Sequence, residues 1–187
     1  MFGLTPSPAP DYSPFAAQTW ELALDSPNYG GPADCAPSLI VVAGQSNALG
    51  YTLGPADLPP HLRTPIAKVK IWDPARQAFA PLQPAVNTGS PANPGVWGPE
   101  AQLAFRWSQD HPCGDLRIVK YARGETSLAA SPRDRDWSPS SHDEVWDKAT
   151  TELAAAKAAL KTEGLSLQVD AVFWMQGETD AQDLAKA

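Results

Sequence analysis

The chain has 187 residues, 43% of them hydrophobic, and 21 acidic against 14 basic side chains give a formal net charge of -7. That length buries the core of one domain, and the acidic balance argues against nucleic acid or an anionic membrane surface as the main partner. Three scattered histidines and two cysteines have neither metal-site spacing nor the density of a disulfide scaffold, and no apolar run approaches the roughly 18 residues of a membrane span.

Residues 1–37 are rich in Pro, Ser, Gly and Asp. "TPSPAPDYSP" packs poorly and reads as an extended arm or linker, with "FAAQTWELAL" (15–24) as a short docking segment. The opening residues have neither the basic start nor the apolar stretch of a secretory signal. The chain therefore reads as cytoplasmic, or as exported by a route that this N-terminus does not encode. Residues 38–187 read as the folded domain.

"SLIVVAG" (38–44) is a continuous apolar run, the pattern of a strand buried on both faces. "AKVKIWDP" (67–74) is a second strand, stopped by Pro74. "PEAQLAFRWSQD" (99–110) is a helix with Pro99 in its first turn. "DLRIVKYARG" (115–124) is a third strand. "SHDEVWDKATTELAAAKAALKTEG" (141–164) is the clearest helix. Ser141 and Glu144 read as its capping box, Val145, Ala149, Leu153, Ala156 and Leu160 line one face, and Gly164 closes it. "VDAVFWMQG" (169–177) is a fourth strand, and "TDAQDLAKA" (179–187) opens another helix, which Glu178 and Asp180 would cap and charge.

This alternation predicts an α/β domain of three layers, with helices on both faces of a doubly wound, mainly parallel sheet. The expected strand order is 2-1-3-4. In such sheets, ligand chemistry collects beyond the carboxyl ends of the strands. Polar, glycine-containing segments follow three of the four strands: Gly44-Gln45-Ser46-Asn47, Ala122-Arg123-Gly124-Glu125-Thr126-Ser127 and Gln176-Gly177-Glu178-Thr179-Asp180. All three should meet on one rim.

"GQSN" (44–47), "KYARGETSLA" (120–129) and "WMQGETDA" (174–181) together resemble the SGNH-hydrolase superfamily, and within it the carbohydrate-esterase branch of sialate O-acetylesterase domains. The resemblance runs over about residues 38 to 182. It implies a flavodoxin-like three-layer fold and metal-free, cofactor-free deacylation of an acetylated carbohydrate. The serine lies outside any G-x-S-x-G elbow, and neither dinucleotide nor P-loop glycine patterns are present.

On this reading Ser46 attacks the acetyl carbonyl. The developing oxyanion is met by the backbone N–H of Ser46, the backbone N–H of Gly124 and the side-chain amide of Gln176. Gln45, Asn47, Trp97 and Glu178 are the surrounding candidates for substrate contact. The family pattern often has a second glycine where this chain has Glu125. Trp97 and Trp137, in loops, are candidate stacking surfaces for a sugar, whereas Trp72, Trp107, Trp146 and Trp174 read as core.

The resemblance also implies a histidine base from a late Asp-x-x-His block, beyond a fifth strand. No such block occurs before Ala187. His61 lies in a Pro-rich loop, His111 precedes the third strand at the wrong end of the sheet, and His142 is expected on the non-functional edge. The unfinished helix "AQDLAKA" points to a domain incomplete at its C-terminus, part of a longer reading frame, with a degenerate domain as the alternative. Two functions stand open: an O-acetyl esterase, or a non-catalytic glycan-binding or structural relative. Cys35 and Cys113 each precede a strand by three residues. Those strands are neighbours in the expected order, so the sulfurs can meet at the inert end. Without a secretion signal, two free thiols are the expectation.

Overall fold

The computed structural model describes residues 35–131 and 135–182. The arm expected over 1–37 therefore lies almost wholly outside the described residues, as does the closing helix beyond Gln182. Five strands and three helices follow in order: β1 (Ser38–Gly44), α1 (Ser46–Leu49), β2 (Val69–Asp73), β3 (Ala78–Pro81), α2 (Pro99–Asp110), β4 (Leu116–Ala122), α3 (Val145–Thr162) and β5 (Ala171–Met175).

The sheet order is β3-β2-β4-β1-β5. All pairings are parallel except the β2–β3 hairpin. The mainly parallel sheet and the helix α2 stand as the sequence predicts, but the order differs. The second predicted strand pairs with the third and not with the first. Residues 50–68, with two short 3₁₀ turns, carry the chain across a strand position, a step of only about 5 Å per strand. β3 was not foreseen; its four residues pair with β2 and alternate little in burial.

β1 shows why its run is uninterrupted. Ile40 and Val42 join the cluster under α2, with Ala101, Ala104, Ile71 and Ile118. Leu39 faces the other way, with Val119, Ala156 and Leu160 under α3. A strand covered on both faces has no place for a polar alternate. Helix α3 ends as the sequence indicates. Gly164 takes a left-handed φ of +79°, and Leu165 donates back to the Leu160 carbonyl at 2.9 Å, a Schellman closure with its apolar contact. Its start differs: the helix begins at Val145 with no side-chain cap, because the Glu144 carboxylate accepts the Asp136 N–H at 2.9 Å instead. The Ser141–Glu144 box is not formed.

Trp137 is buried and its indole N–H is spent on Thr126 Oγ1 at 3.0 Å, so it is core and no sugar platform. Trp146 and Trp174 are 41% exposed, against expectation. Trp174 lies on β5, which pairs on one side only among the described residues.

The two cysteines also depart from expectation. Cys35 and Cys113 form a disulfide. β1 and β4 are neighbours in register, Ser38 opposite Leu116, so the residues just before each strand are brought together at the amino ends.

One buried ion pair joins the layers. Lys120, in β4, meets Glu100, in the first turn of α2, at 2.9 Å, and both side chains are almost fully enclosed. Lys120 also donates to the Leu49 carbonyl at 3.0 Å and the Thr88 carbonyl at 2.8 Å. Glu100 accepts the Gly98 N–H at 2.9 Å. Burial pushes the Glu100 carboxyl up and the Lys120 ammonium down, each opposed by the other's charge.

Two outcomes follow from this packing. Lys120→Met leaves a buried carboxylate alone and should cost about 3–5 kcal/mol. Adding Glu100→Gln, which keeps an acceptor for Gly98, should recover at least about 1 kcal/mol of that loss. Urea unfolding of both singles and the double measures it, and strict additivity would show the pair uncoupled. Thiol titration of the denatured, unreduced protein should find no reactive sulfhydryl; two would dismiss the bridge.

Candidate active site

The register sets the site. Gly44 stands opposite Ala122 on one side and Met175 on the other, so three strands end level. Beyond the ends the ladder gains one rung each way. Gln45 donates to the Met175 carbonyl at 2.9 Å, and Arg123 donates to the Gly44 carbonyl at 3.1 Å. Gly44 sits at φ +140°, and a β-carbon there would stand 1.9 Å from the Met175 oxygen. Only glycine permits this approach.

The chain then turns into α1, with Ser46 as its first residue. Ala48 and Leu49 are buried and anchor the turn, while Ser46 and Asn47 face outward. A β-carbon at Gly124 would stand 4.0 Å from the Ser46 β-carbon, so these two predicted residues are neighbours. Among the described residues, neither the Ser46 N–H nor the Gly124 N–H donates to another group. No described side chain bonds the Ser46 hydroxyl.

Gln176 is brought to the same rim but is heavily engaged. Its amide nitrogen lies 2.6 Å from Asp180 Oδ2, 3.1 Å from the Thr126 carbonyl and 3.5 Å from Gln45 Oε1. An amide has two hydrogens, and the two shorter contacts use both. Gln45 is buried, and its Oε1 also accepts the Thr179 N–H at 3.3 Å.

Asp180 opens the 3₁₀ turn Asp180–Gln182; the helix expected after it lies outside the described residues, and the carboxylates of Asp180 and Glu178 are both engaged across loops. The Asp180 carboxylate accepts the Leu128 N–H at 2.9 and 3.1 Å and the Ala129 N–H at 3.5 Å. Burial raises its pKa, but the bonds from Gln176, Leu128 and Ala129 outweigh this and hold it below the usual aspartate value. Glu178 accepts from the Asn47 amide. Asp180 thus clamps the loop after β4 to the loop after β5, with Gln45 and Asn47 tying in the loop after β1. The sequence reading missed that clamp.

The loop after β4 keeps a glycine-like shape without the glycine. Glu125 has φ +61°, the left-handed region that favours glycine. Its carboxylate meets Arg135 at 2.6 Å. Ser127 then bridges Asp136, its N–H donating to the Arg135 carbonyl at 3.1 Å and its carbonyl accepting the Trp137 backbone N–H at 2.8 Å.

The Trp97 backbone packs against Gly50, just past the end of α1, but its ring makes no described bond to these residues. It packs against the core under α2 and donates its indole N–H to the Gly54 carbonyl at 2.9 Å. The histidines are placed by other contacts. His61 meets Gln102 and Phe105, and His111 stacks on Trp107. His142 is 88% exposed, 4.0 Å from Asp147. Its helix begins on the functional rim and not at the edge expected: Val145 packs with Ala43, next to the carboxyl end of β1. A helix that follows a parallel strand starts where that strand ends.

A family model described as "SASA: Carbohydrate esterase, sialic acid-specific acetylesterase" matches residues 37–187. No curated protein matches the chain significantly. Among solved structures, a protein from Arabidopsis thaliana superposes with a TM-score of 0.54 at 15% identity, covering 80% of this chain and 61% of its own. NanS superposes with a TM-score of 0.53 at 19% identity, covering 82% of this chain and 57% of its own. The chain spans about three fifths of the length of either. At these identities the likeness shows the fold.

Asp180→Ala should orphan the Leu128 and Ala129 N–H groups and cost about 1–3 kcal/mol. The sign with pH follows from the lowered pKa. The carboxylate's contribution is present above the ordinary aspartate value of 3.8 and is lost as pH falls through the lower folded value. The gap between wild type and variant in urea unfolding should therefore hold from neutral pH down to about pH 4 and close below it. A gap that widens in acid would contradict the clamp.

Proposed function

Because the chain belongs to the sialic acid-specific acetylesterase family of carbohydrate esterases, we propose that it carries the nucleophile and oxyanion donors of a serine O-acetyl esterase acting on a carbohydrate. The observation that carries the reading is the pairing of Ser46 with Gly124 on level strand ends, each with an uncommitted N–H. Ser46 Oγ attacks the acetyl carbonyl. The carbonyl oxygen becomes an oxyanion, held by the Ser46 and Gly124 N–H groups. The sugar oxygen leaves with a proton, and water then hydrolyses the acetyl-serine. Gln176 joins as a third donor if it releases one of its acceptors; held as it is, it positions the loop. Asn47 and Glu178 flank the approach, and Gln45 supports it from below.

A hydroxyl serine needs a base. His61 and His111 are held by contacts elsewhere, and the exposed His142 has only Asp147 within 4.0 Å and no described contact with Ser46, so in this reading the base is a histidine other than these three. The unpartnered Ser46 hydroxyl also fits the second reading, a non-catalytic relative that binds acetylated glycan. The Cys35–Cys113 disulfide supports an oxidising compartment. No described helix is long and apolar enough to cross a membrane.

In a chain that also supplies the histidine, Ser46→Ala should lower kcat/KM for acetyl-ester hydrolysis about 10⁴-fold or more. Retention of a tenth of the activity would remove Ser46 from this role. In the 187-residue chain, His142→Ala should leave residual aryl-acetate hydrolysis unchanged. A large drop would make His142 the base.

A further inference from the structure

Cys35 and Cys113 are the two cysteines of the chain. Both are exposed to solvent, as are their neighbours Ala36 and Pro112. Their bridge joins positions 78 residues apart. It stands at the amino ends of β1 and β4, away from Ser46, with the seven residues of β1 between.

The backbone on either side of the bridge is held by other bonds. Gly114 donates to the His111 carbonyl at 3.1 Å and closes a turn around Pro112 and Cys113. Lys68 ties that turn down through the Pro112 carbonyl, and Leu116 donates to the Lys68 carbonyl at 2.9 Å. The start of β1 is fixed twice. Ser38 donates to the Asp115 carbonyl at 2.8 Å, and Leu39 donates to Asp170 Oδ2 at 2.9 Å. None of these bonds passes through a sulfur.

We propose that the bridge is a reversible redox latch: a dithiol opens it in the folded protein, and the open domain keeps its fold but loses much of its stability. Exposure admits the attacking thiolate, and exposed disulfides are the labile ones. A thiolate of the dithiol attacks one protein sulfur, the Cys35–Cys113 bond breaks and a mixed disulfide forms. The released cysteine thiolate takes up a proton. The second thiol of the reagent then closes onto its own bound sulfur and frees the other cysteine. The protein gains two electrons and two protons, and the reagent becomes a cyclic disulfide. The bonds around the turn and the start of β1 keep the two thiols near each other, so a disulfide oxidant reverses the sequence. A cross-link acts mainly on the unfolded chain, by closing a loop there. Its loss therefore leaves the folded arrangement in place and frees the unfolded one. The rim is spared, because Gly44, packed against Met175, holds the other end of β1. The latch thus governs how long the domain persists and not what it does at Ser46, so it does not depend on the esterase reading.

The test is timed reduction of the oxidised 187-residue protein by dithiothreitol, with and without urea below the unfolding transition, quenched by alkylation and read by mass. Oxidised glutathione under the same conditions is the exposed reference. Opening should proceed without urea, within about tenfold of that reference, and urea should not accelerate it. The opened protein should keep its far- and near-ultraviolet circular dichroism and should melt roughly 10 °C below the closed form. Exchange into oxidised glutathione should restore both the bridge and the melting temperature. The double variant Cys35→Ser, Cys113→Ser should melt with the opened wild type and ignore the reductant. Opening only as urea unfolds the chain, loss of the fold on opening or in the double variant, an unchanged melting temperature, or failure to reclose would each overturn the proposal.

Discussion

The Lys120–Glu100 pair is the constraint on which the rim depends. One ammonium joins β4, the end of α1 through Leu49, the loop at Thr88 and the start of α2. Leu49, Thr88 and Lys120 all line a cleft beside Gly124. A buried ion pair is a weak source of net stability, because desolvation offsets much of the attraction. Its directional effect is stronger. With three acceptors fixed around one nitrogen, the C-terminal end of α1 has one position relative to β4, and Ser46 is three residues away on a helix of four. Apolar contacts alone would let such a short helix shift.

A second set of bonds fixes the other side. Asp180 and Gln176 span from the end of β5 to the loop after β4, and Gln45 closes the triangle with Thr179. Level register alone brings three loops close, but loops carry few packing contacts and need tethers. Here the tethers are polar and buried, where an unpaired group is expensive. The Ser46 and Gly124 N–H groups are left unbonded among the described residues, which is the arrangement that electrostatic preorganisation requires in the esterase reading we propose.

Much of this was legible in the chain. The apolar run 38–44 named its strand because burial on both faces suppresses alternation, "DLRIVKYARG" (115–124) named another, and Pro99 marked the start of α2 to the residue. The rim assignment of Ser46, Gly124 and Gln176 followed from strand ends alone. Other features were hidden because they are tertiary. Strand order is set by how far a connection reaches, which composition does not encode. Glu144 is a sound capping residue by pattern, yet a buried backbone N–H of Asp136 claims its carboxylate. Trp174 reads as core in any apolar strand, but exposure depends on what lies beside β5. Lys120 did leave a trace: a lone lysine inside "RIVKYA" signals either a bulge or a buried counter-charge. Asp180 left none, since an acidic residue at a helix start has an ordinary local explanation.

The site therefore divides into a finished part and an open part. In the reading we propose, the oxyanion donors, the turn that carries Ser46 and the loops beneath it are all held by groups within the described residues. The Ser46 hydroxyl is not. In serine esterases these two parts contribute differently: the oxyanion donors act on charge that develops in the transition state, whereas the base makes the nucleophile available. They are separable in chain position, because the proposed donors are backbone groups fixed by register while a base is a single side chain. A rim that is rigid before a base arrives can accept that side chain without reorganising. Its cost is borne by the buried polar bonds at Asp180 and Lys120, and not by the serine.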